Sequence, residues 1–317
     1  MSARRTPAVI AVVGSANQDY IVRVGAPPAQ GETVLATSLL TQPGGKGANQ
    51  AVAAARMSGN VVFVGAVGDD PDGASLLREL RTEGVDTTNV EIINRVRTGL
   101  AFVSVFDSGD NSITVVPGTN FALTPDRVSR AIKRIARDAD STVMVIQAEL
   151  RPEVIESAVH TTADIGGRSI VNLAPYRPLS ADVLAACDPL VVNESEASSL
   201  VGWPVDDVAT ATRAATQIGA STRSVVITIG AQGAFWADAT GSGHVPAPLV
   251  TDVVDTMGAG DAFVGALAAQ LARGAGLRRA VEVGVLAGSF AVRRPGAQSS
   301  YARETDLDLD PADDSDT

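Results

Sequence analysis

The run Asp255-Thr-Met-Gly-Ala-Gly-Asp261 holds the residue types best suited to chemistry in this 317-residue chain. Gly258-Ala-Gly-Asp261 opens a stretch of small apolar residues that ends at Arg273-Gly274, a composition that predicts a helix with a glycine C-cap. The unsatisfied N–H groups and the dipole of a helix N-terminus attract an anion, and glycines let a phosphate approach the backbone closely. An Asp in that first turn can take the proton from a hydroxyl that attacks the phosphate. The same Asp also suits an ordinary helix start, where its charge complements the dipole. The motif alone leaves both readings open.

Other chemistries lack material. Gly45-Lys46 is followed by Gly47 rather than Ser or Thr, and position 40 is Leu40, so there is no P-loop. No G-x-G-x-x-G occurs, which removes the dinucleotide fingerprint. The two histidines, His160 and His244, stand in unremarkable contexts. The single cysteine, Cys187, lies in an apolar segment and reads as a small core residue. Histidine triads, multi-cysteine metal sites and disulfide frameworks are therefore excluded.

The elements that must position Asp261 alternate along the chain. Short β-type runs fall at Ala8–Val13, Val61–Val64, Thr142–Ile146, Ser169–Asn172, Leu190–Val192 and Ser224–Thr228. Helical patterns fall at Ala48–Ser58, Gly73–Glu83, Pro125–Asp138, Pro152–Thr162, Val208–Gly219, Ala259–Arg273 and Leu277–Val292. Continuous apolar strands alternating with helices predict a parallel sheet covered on both faces. Tyr20–Leu40 and Arg97–Val116 break the rhythm with alternating β-type residues, and predict either a small β-lid or a pair of long surface loops. Polar residues (Gly14-Ser-Ala-Asn17, Asn172, Asn193, Gly230) follow strand runs, where open α/β sheets bind ligands.

The composition is 45% hydrophobic and 4% aromatic, so Ala, Val, Leu and Ile must build the core. The net charge is −11, but seven acids (Glu304, Asp306, Asp308, Asp310, Asp313, Asp314, Asp316) crowd the C-terminus, and without them the chain carries −4. Residues 306–317 read as an acidic, disordered tail and residues 1–305 as one domain. With an acidic balance and no basic cluster, nucleic acid is not an expected partner. No apolar run reaches membrane-spanning length and no signal peptide precedes the first strand, so a cytoplasmic protein is expected.

Four motifs occur in order: Gly14-Ser-Ala-Asn-Gln-Asp19, Gly44-Gly-Lys-Gly-Ala-Asn-Gln-Ala51, Asn193-Glu-Ser-Glu196 and Asp255-Thr-Met-Gly-Ala-Gly-Asp261. Together they resemble the ribokinase branch of the PfkB carbohydrate kinase family, over about Ala8 to Tyr301. The resemblance implies a three-layer α/β/α, Rossmann-like, mainly parallel sheet with a β-lid formed by about residues 18–43 and 96–116. It implies ATP-dependent phosphorylation of ribose at its 5-hydroxyl by the catalytic run Gly258, Ala259, Gly260 and Asp261, with Asp261 as base and the backbone N–H groups of Ala259, Gly260 and Asp261 stabilising charge on the transferred group. It implies a sugar site of Asn17, Asp19, Gly45, Lys46, Gly47, Ala48, Asn49 and Glu149. It implies nucleotide contacts from Asn193, Thr228, Gly230, Gly233, Gly260 and Val285, the last in a place where such kinases often carry a polar residue beside the adenine. Magnesium would be ordered through water by Glu196, and a monovalent cation such as potassium by Asp255, Met257, Ala291, Arg294, Gly296 and Ser300. A homodimer joined through the lid would cover its unpaired edges and apolar face. Deoxyribose, 2-keto-3-deoxygluconate or adenosine as acceptor, and a sugar-binding regulator without catalysis, remain alternatives.

Overall fold

The computed structural model describes residues 7–108 and 111–309. The chain runs β1 (Val9–Val13), β2 (Asn17–Val24), β3 (Ser38–Gly44), α1 (Lys46–Arg56), β4 (Val61–Gly68), α2 (Pro71–Thr82) and β5 (Asp86–Ile93). Next come β6 (Gly99–Phe106), β7 (Asn111–Val116), α3 (Pro125–Asp138), β8 (Thr142–Gln147), α4 (Pro152–Asp164), β9 (Arg168–Asn172), α5 (Ala181–Ala186) and β10 (Cys187–Val192). Then follow α6 (Glu194–Val201), α7 (Val208–Gly219), β11 (Val225–Thr228), β12 (Ala234–Asp238), β13 (Gly241–Val245), α8 (Ala259–Ala272) and α9 (Leu277–Ala291).

Among the described residues nine strands form one sheet in the order β13-β12-β11-β10-β9-β8-β1-β4-β5. All neighbours from β11 to β5 pair in parallel, and β12 and β13 add an antiparallel edge. The period-2 alternation of side chains divides the core. Ile10, Val12, Val143 and Val145 pack with α1, α2, α8 and α9 on one face. Val9, Ala11, Met144 and Ile146 pack with α3 to α7 on the other. This is the three-layer arrangement that strands buried on both faces require.

The two stretches outside that rhythm form a second sheet, ordered β3-β2-β6-β7. β2 and β6 pair in parallel, while β2–β3 and β6–β7 are antiparallel. The surface-loop alternative therefore fails, although residues 25–37 between β2 and β3 carry no strand. Asn17 pairs with Gly44, so the start of the lid and the end of its first hairpin lie side by side over the large sheet.

Several elements escape sequence reading. β5 is polar at its start, β12 and β13 are short, and α5 has six residues. The C-terminal expectation also needs correcting. Glu304–Asp306 forms a short 3-10 turn, Glu304 binds Arg273 at 2.5 Å, and Leu307 and Leu309 pack on the core. The packed chain thus passes residue 305, and residues 310–317 of the expected tail lie outside the described residues. The expected lack of a basic cluster fails too, because α3 carries Arg127, Arg130, Lys133, Arg134 and Arg137. No helix among the described residues is long and apolar enough to cross a membrane.

Candidate active site

Asp261 sits in the first turn of α8 and is 7% exposed. Its two carboxylate oxygens each accept one amide hydrogen bond, from Asn49 Nδ2 and from Gln50 Nε2, both at 2.9 Å. Lys46, Asn49 and Gln50 share one face of α1 by their i, i+3, i+4 spacing, and α1 packs against α8, the helix that begins beside Asp261. A second layer fixes which way the amides point. Gln298 Nε2 donates to Asn49 Oδ1 at 3.0 Å, and Gln147 Nε2 donates to Gln50 Oε1 at 2.7 Å. Gln50 Nε2 also donates to Asn172 Oδ1 at 2.9 Å, so β9 joins the same network. Gly258 caps α8 at φ 74°, where a Cβ would fall 2.6 Å from Tyr301 Oη and 2.9 Å from Ala297. A side chain there would be strained at that φ and would force Tyr301 or Ala297 to shift.

On one side of Asp261 the loops after β1 and β3 meet. A Cβ on Gly47 would lie 2.6 Å from Gly14, so these two backbones touch. This contact brings Ser15 to Glu149, with Oγ donating to Oε2 at 2.5 Å, and the Lys46 backbone N–H donates to the same oxygen at 3.1 Å. Asn17 is oriented by Asn120, whose Nδ2 donates to Asn17 Oδ1 at 2.7 Å. Asp19 follows one pleat later on the same face of β2, and its Oδ1 is buried with no partner among the described residues. Burial pushes the Asp19 carboxyl up to about 7, and the negative charges of Glu149 and Asp261 add to the effect. The Lys46 ammonium moves the other way in energy: the Asp261 carboxylate raises its pKa, outweighing burial. Three carboxylates and one ammonium thus converge here, with an acceptor oxygen still wanting a donor. A hydroxyl-rich molecule supplies such donors.

On the other side lies a cavity of about 230 Å³ whose lining includes Lys46, Asn193, Glu196, Thr228, Gly260 and Asp261. Asn193 and Glu196 form a reciprocal capping box at the start of α6, so the sequence alternative of a simple N-cap holds as well. The second Glu196 oxygen stays out of the cap bond, and burial raises this carboxyl's pKa. Gly230 and Gly233 shape the turn from β11 to β12, which is also an antiparallel hairpin. Val285 is absent from the lining of this cavity; it lies on the buried face of α9, in the core. Of the leading amides of α8, that of Ala259 donates to Thr256 O at 3.3 Å, while those of Gly260 and Asp261 have no backbone acceptor among the described residues. Of the amides expected to form the anion hole, that of Ala259 thus has a backbone acceptor among the described residues, and those of Gly260 and Asp261 do not.

The residues expected at a monovalent cation gather beside the loop that precedes α8. Asp255 accepts from Met257 N and from Gly296 N, both at 2.9 Å, which ties that loop to the turn after α9. Ser300 is fully buried, and Arg294 N bonds Ala291 O at the end of α9. A carboxylate, a hydroxyl and carbonyls at a helix C-terminus suit a hard cation.

Sequence reading missed Ser15, Gln50, Asn120, Gln147 and Gln298 as members of the site. Gln50 carried one usable signal, its place on the same helical stripe as Lys46 and Asn49. The others reach the site only through tertiary packing.

Comparison with known proteins gives the family. Residues 8–304 match the pfkB family carbohydrate kinase description. A ribokinase of Bacillus subtilis is 36% identical over 300 residues, covering 94% of this chain and 98% of that protein. A deoxyribokinase of Salmonella typhi is 35% identical over 296 residues, covering 92% and 95%. The structure of Arabidopsis thaliana ribokinase complexed with ribose and ATP superposes with a TM-score of 0.84 at 28% identity, covering 95% of this chain and 97% of that one. The chain belongs to the PfkB family of carbohydrate kinases and is a ribokinase-like sugar kinase.

Proposed function

We propose that this kinase transfers the γ-phosphate of ATP to the 5-hydroxyl of D-ribose, giving ribose 5-phosphate, with Asp261 as general base. One observation carries the reading: a doubly held carboxylate stands at a helix N-terminus, between an acid-lined polar site and a cavity that reaches Asn193, Glu196 and Thr228. Asp261 takes the hydroxyl proton as the oxygen attacks the γ-phosphorus in line, and ADP leaves. The free amides of Gly260 and Asp261 stabilise charge on the transferred group, so catalysis is mostly positioning and electrostatics. Lys46, paired in charge with Asp261, stands between sugar and phosphate. Asp19 and Glu149 accept sugar hydroxyls, and Asn17 and Asn49 complete the set. Gly45 and Gly47 frame Lys46, and Ala48 packs behind it. Thr228, Gly230 and Gly233 flank the nucleotide.

Glu196 would order magnesium through water, and the bound ion would neutralise phosphate charge. Asp255, Met257, Ala291, Arg294, Gly296 and Ser300 would hold potassium, which would steady the loop leading into α8. Two lids would pair through the face that carries Leu40 (55% exposed) and Ile113 (55% exposed), giving a homodimer. Sedimentation at micromolar concentration should show dimer, and monomer alone overturns that assembly.

Turnover of Asp261→Asn tests the base directly: kcat should fall about 10²–10⁴-fold. Turnover near that of the wild type removes Asp261 from this role. The Salmonella deoxyribokinase supports 2-deoxyribose as a second reading. Comparing kcat/KM for ribose and deoxyribose, with and without potassium, decides between them.

A further inference from the structure

A second, larger cavity of about 580 Å³ shares no residue with the site above. It exists because helix cover on one face of the sheet stops early. α2 covers β4 and β5 from the face of α1 and α8. On the opposite face α3 packs over β1, and Asn89 and Glu91 of the edge strand β5 look toward α3 across a gap. Val64, Leu123 and Ala131 floor the gap.

The wall supplied by α3 is cationic. Arg127, Arg130, Arg134 and Arg137 recur at helical spacing along it, and Lys133 joins them. Among the described residues Glu91 is the one acid in the lining, and Arg127 binds it at 2.6 Å. Arg134 donates to Asn89 Oδ1, which anchors a second guanidinium across the gap. Arg130, Lys133 and Arg137 have no ion pair or hydrogen bond among the described residues. Five of the 25 basic residues of a chain with net charge −11 thus share one groove. Like charges three and four apart on a helix repel. A multivalent anion relieves that repulsion, and β5, as an edge strand, leaves backbone groups on its outer side unpaired by the sheet. Among the described residues the lining contains no aromatic ring to stack on a nucleobase.

We propose that the groove between α3 and β5 binds a compact, non-aromatic molecule carrying two or more phosphate groups. Inorganic pyrophosphate or tripolyphosphate and a sugar bisphosphate share that chemistry, and titration tells them apart. Calorimetry on the whole protein, with the nucleotide site filled by a non-hydrolysable ATP analogue, would use pyrophosphate, tripolyphosphate, a hexose bisphosphate and a single-stranded oligonucleotide as probes. At least one phosphorylated probe should bind once per chain, more weakly as salt rises. Arg130→Glu with Arg134→Glu should weaken it by at least about tenfold per arginine, leaving sugar phosphorylation unchanged. Arg130→Gln gives the same direction should the double variant fold poorly. Absence of saturable binding below about millimolar concentration, or binding indifferent to both variants, overturns the proposal. So does binding of the oligonucleotide alone, which makes α3 a nucleic-acid surface instead.

Discussion

Replacing Asp19 with Asn isolates the electrostatics of the sugar side. Burial and the charges of Glu149 and Asp261 push this carboxyl up to about 7, from an ordinary 3.8. Over the range between those values the folded chain keeps a proton that the unfolded chain has released. Stability therefore falls as pH rises; the penalty begins near the unfolded value and is complete above the folded one. The shift of about 3 units is worth on the order of 4 kcal/mol once both states are ionised. Integrated from about pH 5.5 to about pH 8, roughly 2 kcal/mol of it develops. Asp19→Asn has no such charge. In urea unfolding of ligand-free protein it should gain about 2 kcal/mol on the wild type across that interval, since the other titrating groups cancel in the comparison. Its sugar KM should rise in the same experiment series, because an acceptor of the sugar site has been lost. A variant whose stability runs parallel to the wild type at both pH values refutes the electrostatic account of Asp19.

Two further substitutions test the mounting of Asp261. Gln50→Leu removes one donor to the carboxylate and strands Gln147 Nε2 and Asn172 Oδ1. It should cost about 2–4 kcal/mol of stability and lower kcat by about tenfold or more, with the sugar KM changed by less than about threefold; a raised KM at unchanged kcat would assign Gln50 to binding instead. Gly258→Ala puts a Cβ 2.6 Å from Tyr301 Oη at a φ of 74°. Strain of about 1–2 kcal/mol should appear as a lower Tm, with kcat reduced as the amides of Gly260 and Asp261 shift. An unchanged Tm would mean that the turn relaxes freely.

Much of this was legible in the chain. The inner strands announced themselves because burial on both faces demands apolar runs, as in Val9–Val13 and Thr142–Gln147. Motif residues placed after strands met at one site because parallel strands put those ends on one edge. The edge strands were harder. β5 faces solvent in part and β13 is Gly-Ser-Gly-His-Val, so neither carries a core signal. The amide network around Asp261 was illegible for a different reason. Gln50, Gln147 and Gln298 look like surface residues until α1, β8 and the segment after α9 are superposed, and 0% exposure at Gln50 is a tertiary fact. The bases of α3 form no cluster in the sequence, because three- and four-residue spacing separates most of them and no local pattern reveals that the sheet opposite them lacks a cover. Ala259 shows a limit of motif transfer: the motif names the residue, but the turn at Thr256 decides where its N–H goes.

The pairing of Asn17 with Gly44 also constrains how this enzyme can change. Asp19 faces the proposed sugar site because β2 is held in register by two neighbours, so a one-residue insertion between Asn17 and Asp19 would turn that carboxylate toward the side of Tyr20 and Phe102. Residues 25–37 are under no such constraint. They are mostly exposed, and doubling such a connection costs only about 0.6 kcal/mol in closure entropy. Insertions, tags or whole domains placed there should leave sugar recognition intact, whereas length changes a few residues away in the strands should abolish it. The lid thus offers one permissive splice point beside a segment whose length is fixed to the residue.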